Sequence, residues 1–243
     1  MSRPDSTRFS TRSRVARETL IVDLGARMRV LSSAPRGGGL RTTRYILNHQ
    51  VPSNPMSNGG VGTWDNPSRY LRRLAESLGI ESDCVGLMTA VPMTQVVTCR
   101  EERDGLWVEC FATVGVTNAV RAGEIPRQNE EHASHGKTGT INLIVVTNAC
   151  LAVPALVGAV QVATESKTGV LRDHAVPSWT GLPGATGTGT DAVVAACALR
   201  GHGPWHPYAG THTNLGSMIG LVVGECVTAG LARAAQWAAN HRR

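Results

Sequence analysis

Residues 84–91, 94–99 and 106–116 are strand-like apolar runs separated only by a turn at Pro92 and another from Glu101 to Gly105. Connections that short cannot hold the crossover that a parallel pair requires, so these consecutive runs are expected to pair antiparallel. A purely parallel sheet is thereby excluded. Further strands are read at 19–22 and 27–31, turning at Gly25, at 44–51, and at 139–147. Residues 192–199 are apolar throughout, and periodicity leaves strand and buried helix both open there.

Helical signals complete the frame. Asn66-Pro67-Ser68 opens a helix to about Leu78, with Leu71, Leu74, Ala75 and Leu78 at helical spacing and Gly79 as its stop. A second helix runs from Val153 to about Arg172, with Pro154 in its first turn where a missing N–H is harmless. A third follows Thr211 to Gly216 and ends near Ala239. The expected fold is α/β (α+β): a mixed sheet with antiparallel pairs and helices packed on it, in one domain at 18–243 after a disordered basic tail at 1–17.

Composition narrows the function classes. The net charge of +6 is half accounted for by the first twenty residues, which hold five arginines against Asp5 and Glu18. The body is therefore only mildly basic, and aromatic residues at 4% are too few for base stacking, which argues against nucleic acid. The apolar stretch 139–156 is broken by Asn142, Thr147, Asn148 and Pro154, so no membrane span is expected. Nor has the tail the apolar centre of a secretory signal, which makes a cytoplasmic setting the default. The six cysteines form no Cys-x-x-Cys pair and read as buried thiols. His132, His135, His202 and His206 lack partners at metal-site spacing, so no metal is expected.

What remains is a series of polar interruptions in apolar surroundings. Gly184-Ala185-Thr186-Gly187-Thr188-Gly189-Thr190-Asp191 alternates glycine with threonine and ends on an acid, which suits a binding loop, or a tight turn with Asp191 as a cap. Ser33 and Arg36 sit in a second glycine-rich loop after a strand. His49 lies at a strand end, Asn118 in a polar turn, and Asn142 inside the most β-prone strand. A buried Asn needs partners, since an unsatisfied amide costs about 1–3 kcal/mol. In Thr164-Glu165-Ser166-Lys167 the acid and the base are two residues apart on a helix, so one can face inward while the other does not.

These segments occur in one order: Ser32-Ser33-Ala34-Pro35 with its glycines, Asn48-His49, Thr117-Asn118-Ala119 with Arg121-Ala122-Gly123, Gly139-Thr140-Ile141-Asn142, Thr164-Glu165-Ser166-Lys167, Ala185 to Asp191, and Tyr208-Ala209-Gly210-Thr211. Together, over residues 18–232, they resemble the adenosylcobinamide amidohydrolase family, the CbiZ type. The resemblance implies hydrolysis of the amide joining aminopropanol to the corrin in adenosylcobinamide, with the corrinoid as substrate and no cofactor. Ser166 departs from the Glu-Ala-Lys triplet expected of that family, and the loops at 52–63 and 129–136 look individual.

Amide hydrolysis needs a base or nucleophile, an oxyanion site and an acid for the leaving amine. No Gly-x-Ser-x-Gly or His-Glu-x-x-His motif supplies them. Glu165 or Asp191 is the candidate base, with Lys167 and His49 to hold charge or donate a proton. Ser33, Arg36, Asn118, Asn142, Thr186, Thr188 and Thr190 are the candidate substrate contacts. A competing plan makes Ser33, Thr140 or Thr188 a covalent nucleophile. A related amidase with another substrate, or a non-catalytic corrinoid binder, fits the same residues, and so does an assembly of identical copies.

Overall fold

The long strand β2 (Thr19–Ser32) organises the sheet. One of its edges pairs along its length with β3 (Gly39–Gln50). The other edge is divided: its first half, Thr19 to Asp23, takes β1 (Arg12–Ala16), and its second half, Arg29 to Ser32, takes β11 (Ala192–Cys197), both antiparallel. The division falls where the register shifts between Asp23 and Met28. Gly25 enters the left-handed region there, φ +74°, and its N–H is held by Asp23 Oδ1. The 19–22 and 27–31 strands of the sequence reading are thus one strand with a bulge, which keeps Leu24 and Met28 both buried.

The computed structural model describes residues 10–51, 66–80, 83–125 and 139–240. The loops at 52–63 and 129–136, with His132 and His135, lie outside the described residues. Arg12–Ala16, placed by its charge in a disordered tail, is a strand: its backbone pairs with β2 while Arg12 to Val15 face water and Ala16 packs against the Ile21 cluster.

The sheet order is β4-β3-β2-β11-β8-β6-β5, with β4 (Cys84–Thr89), β5 (Val97–Arg103), β6 (Leu106–Val114) and β8 (Ile141–Thr147). As the short turn demands, β5 and β6 are antiparallel. β4 and β5 do not pair, contrary to expectation. β4 pairs in parallel with β3, and the turn at Met93–Gln95 carries the chain to the far edge of the sheet. The 192–199 ambiguity resolves as strand β11, whose backbone is shared between β2 and parallel β8.

The sheet is rolled. Its inner face gathers Leu20, Val22 and Val30 of β2, Ile46 of β3, Leu87 of β4, Phe111 of β6, Ile144 of β8 and Val194 of β11 into one core, although β4 and β6 stand far apart in strand order. Period-2 alternation then sends the intervening residues outward. α1 (Pro67–Ser77) covers the outer face at Ile21 and Leu47, packed through Ala75, and is capped by Asn66, whose Oδ1 accepts from Arg69 N.

On the remaining outer face lie α2 (Val153–Asp173) and α3 (Asn214–Asn240). α3 is long and apolar enough, by length and composition alone, to cross a membrane, which the sequence reading overlooked. Here its face of Leu215, Met218, Ile219, Val222, Val223 and Cys226 is buried in the core against the sheet. Gly230 brings its backbone close to β6: a Cβ there would lie 2.5 Å from Val114 Cγ2.

Candidate active site

The beginning of β11, the beginning of β8 and the middle of α2 meet at one corner of the rolled sheet. α2 buries Lys167 toward the sheet and leaves Glu165 in solvent, because residues two apart on a helix point about 200° apart. Lys167, only 5% exposed, forms an ion pair with Asp191 Oδ2 at the entry to β11. The same carboxylate accepts from Thr188 N at 3.1 Å, Thr188 Oγ1 at 2.5 Å and Ile141 N at 2.9 Å. Four donors fill the roughly four acceptor sites of a carboxylate. Asp191 is therefore held in one orientation, with the Thr188 hydroxyl and the Lys167 ammonium on opposite oxygens.

The glycine-threonine loop makes this pairing sterically possible. A Cβ on Gly187 would fall 2.4 Å from Asp191 Oδ2 and 2.9 Å from Lys167 Nζ. The loop is pinned by a two-residue ladder, β10 (Gly187–Thr188) against β7 (Ala119–Val120). Thr186 accepts from Ala122 N through its hydroxyl and from Thr168 Oγ1 through its carbonyl. The Thr190 carbonyl accepts from Thr140 Oγ1, and its hydroxyl bonds to the Gly139 carbonyl. Gly139 N in turn donates to Asn118 Oδ1 at 3.1 Å.

A second polar group lies on the inner face. Asn142 Nδ2 donates to Asn48 Oδ1 and to the Met88 carbonyl, and Asn48 Nδ2 donates to Thr113 Oγ1. Two acceptors fix the amide orientation of Asn142, so its Oδ1 must point elsewhere, and that oxygen is buried with no partner among the described residues. Such an orphaned acceptor is costly unless a ligand or water donates to it.

Other expected site residues go elsewhere. His49 is buried on the outer face beneath α1, with Nδ1 2.8 Å from Thr19 Oγ1 and Nε2 2.8 Å from the Tyr70 hydroxyl. Thr19 Oγ1 donates to the Arg17 carbonyl, so it accepts from Nδ1–H, and Nε2 accepts from Tyr70. Burial pushes the His49 pKa down, against an opposing pull from Glu18, consistent with a neutral ring occupied at both nitrogens. Ser33 joins β2 to β11 through Val193, its Oγ accepting from Val193 N. Arg36 reaches the Ser68 carbonyl in the first turn of α1. Ser166 donates to the Gly220 carbonyl at 2.7 Å, which ties α2 to α3.

Beside the polar corner opens a cleft of about 980 Å³. Val114 to Thr117 and Gly139 form the side nearest the corner; Val91 and Pro92, then His174, Val176 and Pro177, form two others. The second half of α3 supplies Leu231, Ala232, Ala235, Trp237 and Ala238. Among the described residues no Asp, Glu, Lys or Arg lines it, and His174 is its one titratable side chain. The sequence reading missed this cleft. Its trace was the change after Val227 from branched residues to an alanine-rich helix carrying Trp237. Among the described residues no cluster of metal-binding side chains occurs.

A family model described as adenosylcobinamide amidohydrolase, CbiZ, matches residues 3–239. An adenosylcobinamide amidohydrolase of Methanosarcina mazei is 34% identical over 203 residues, covering 80% of this chain and 86% of that protein. A protein of Methanocaldococcus jannaschii described as uncharacterized is 30% identical over 225 residues, covering 85% of this chain and 82% of its own length. Among solved structures, an L-aminopeptidase D-Ala-esterase/amidase of Ochrobactrum anthropi aligns with TM-score 0.42 at 9% identity, over 95% of this chain and 84% of that one.

Proposed function

The chain belongs to the adenosylcobinamide amidohydrolase family and is a hydrolase of amide bonds, and from that premise we propose that its substrate is adenosylcobinamide itself. The amide between the corrin side chain and aminopropanol is cleaved by water, giving adenosylcobyric acid and 1-aminopropan-2-ol. The observation that carries this reading is the large cleft, free of Asp, Glu, Lys and Arg among the described residues, whose lining residue Gly139 accepts from the Thr190 hydroxyl in the loop that carries Thr188 and Asp191, the latter paired with Lys167 of α2. Its volume is at the upper end of the roughly 300–1,000 Å³ usual for small-molecule sites, as a macrocyclic substrate requires.

The chemistry follows from which groups share the corner. Of the hydroxyls at Ser33, Thr140 and Thr188, that of Thr188 alone donates to a carboxylate; Thr140 donates to a carbonyl, and Ser33 Oγ accepts from an amide. A nucleophile on a base that is itself oriented by further groups is the arrangement covalent amide hydrolysis needs. Thr188 Oγ1 attacks the amide carbonyl as Asp191 takes its proton. Lys167 stabilises the tetrahedral oxyanion, and the proton passes to the departing aminopropanol nitrogen. Water then hydrolyses the ester on Thr188, releasing the acid. Glu165, in solvent, and His49, beneath α1, take no part.

The test is incubation of the purified protein with adenosylcobinamide, assaying free aminopropanol and measuring intact mass after a single-turnover quench. Thr188→Val is expected to abolish release and Thr188→Ser to retain it, with a corrinoid adduct in the quenched wild type. Turnover by Thr188→Val overturns the nucleophile. Wild type that releases no aminopropanol overturns the substrate.

A further inference from the structure

We propose that His174 ligates the cobalt of the bound corrinoid on the face opposite the adenosyl group; this rests on the corrinoid reading above. A corrin supplies cobalt with its four ring nitrogens and leaves two axial positions. In adenosylcobinamide the adenosyl group fills one. The nucleotide base that would fill the other is absent from a cobinamide, so that position is left to water.

Among the described residues the cleft offers one side chain able to replace that water. Among the described residues its walls are alkyl groups, small residues, amides, hydroxyls and Trp237, and His174 is the only imidazole, thiol or carboxylate. His174 follows α2 as its C-cap, and its backbone N–H donates to the Val170 carbonyl at 3.0 Å, which fixes the main chain. No hydrogen bond or ion pair occupies its imidazole among the described residues, in contrast to His49, whose ring nitrogens are both taken. His174 is exposed, so a ligand entering the cleft can reach its ring, and imidazole is a stronger donor than water toward late first-row metals. Elsewhere in the lining, Ala232, Ala235 and Ala238 of α3 carry nothing longer than a methyl group, which leaves room for a flat ring.

The step balances simply: the imidazole lone pair forms the Co–N bond, the axial water leaves, and no electron is transferred. Ligation would fix which edge of the ring, and therefore which amide arm, faces Thr188. Because the cobalt is the same in substrate and product, the bond contributes equally to ground and transition states. It therefore lowers KM rather than raising kcat.

The experiment uses the whole chain and cob(II)inamide, whose low-spin cobalt has one axial position to fill. Electron paramagnetic resonance of the complex isolated by gel filtration is expected to show the triplet splitting of one axial nitrogen. His174→Ala is expected to lose that splitting while still co-eluting with corrinoid, and to raise KM for adenosylcobinamide with kcat retained. Bound corrinoid without nitrogen splitting in the wild type, or splitting that survives in His174→Ala, overturns the ligation and leaves the substrate assignment standing. A wild type that retains no corrinoid overturns the substrate assignment and the ligation with it.

Discussion

Gly187→Ala tests the polar corner without touching any of its functional groups. Gly187 has no left-handed φ, so alanine meets no backbone strain, and the added methyl acts through space alone. Its carbon would stand 2.4 Å from Asp191 Oδ2, where ordinary contact begins at 3.4 Å, so the carboxylate must move by about 1 Å. If the cluster shifts as a unit, the cost is that of overpacking, about 1–3 kcal/mol. If the Lys167–Asp191 pair separates instead, an uncompensated buried charge raises it to about 3–5 kcal/mol. Activity should suffer more uniformly, since a 1 Å misplacement of reacting groups costs on the order of a hundredfold. Gly189→Ala is the control: nothing lies within 4 Å of a Cβ there, and a stability change within about 1 kcal/mol is expected. Urea unfolding followed by circular dichroism gives stability, and aminopropanol release gives kcat/KM. A Gly187→Ala protein indistinguishable from Gly189→Ala in both would refute the close packing of the pair and its part in catalysis.

Gly230→Ala should force α3 away from β6, because the new methyl would meet Val114 at 2.5 Å; a loss of about 1–3 kcal/mol in denaturant unfolding is expected. Asn142→Leu removes the donor to Asn48 Oδ1 and the Met88 carbonyl, and each stranded acceptor should cost about 1–3 kcal/mol by the same measurement. His49 carries a pH signature. Its folded pKa lies below the ordinary 6.5, so the unfolded chain binds the proton first. The contribution is full above about pH 6.5, is lost as pH falls from there to the folded pKa, and is constant below it. The difference in unfolding free energy between wild type and His49→Gln, taken across that window, should narrow on acidification, and a difference independent of pH would exclude the neutral buried ring.

Much of the frame was legible locally. Asn66 before Pro67 announced α1, Pro154 fitted the first turn of α2, and the short turn at 101–105 required β5 and β6 to be antiparallel. Each signal acts between residues within a few positions of one another, so the sequence carries it whatever surrounds it. The alternation of glycine and threonine ending at Asp191 likewise marked a polar loop, readable as a binding loop or a tight turn, because neither residue type serves an apolar core.

Tertiary packing decided the rest. That Lys167 and Glu165 diverge is helix geometry, but that Lys167 is the inward one depends on α2 lying over a loop 20 residues downstream. Residues 192–197 became a strand because β2 and β8 both offered their edges. His49 at its strand end could be read as a satisfied structural residue or as an acid or base, and strand alternation decides for the first, sending Asn48 to Asn142 on the inner face and His49 beneath α1. The cleft exists only where the end of α2, the second half of α3 and the rim of the sheet converge. A chain encodes its turns, caps and periodicities among near neighbours, whereas hydrogen bonds such as Asn142 to Asn48, 94 residues apart, arise only once the sheet has rolled and brought its distant strands together.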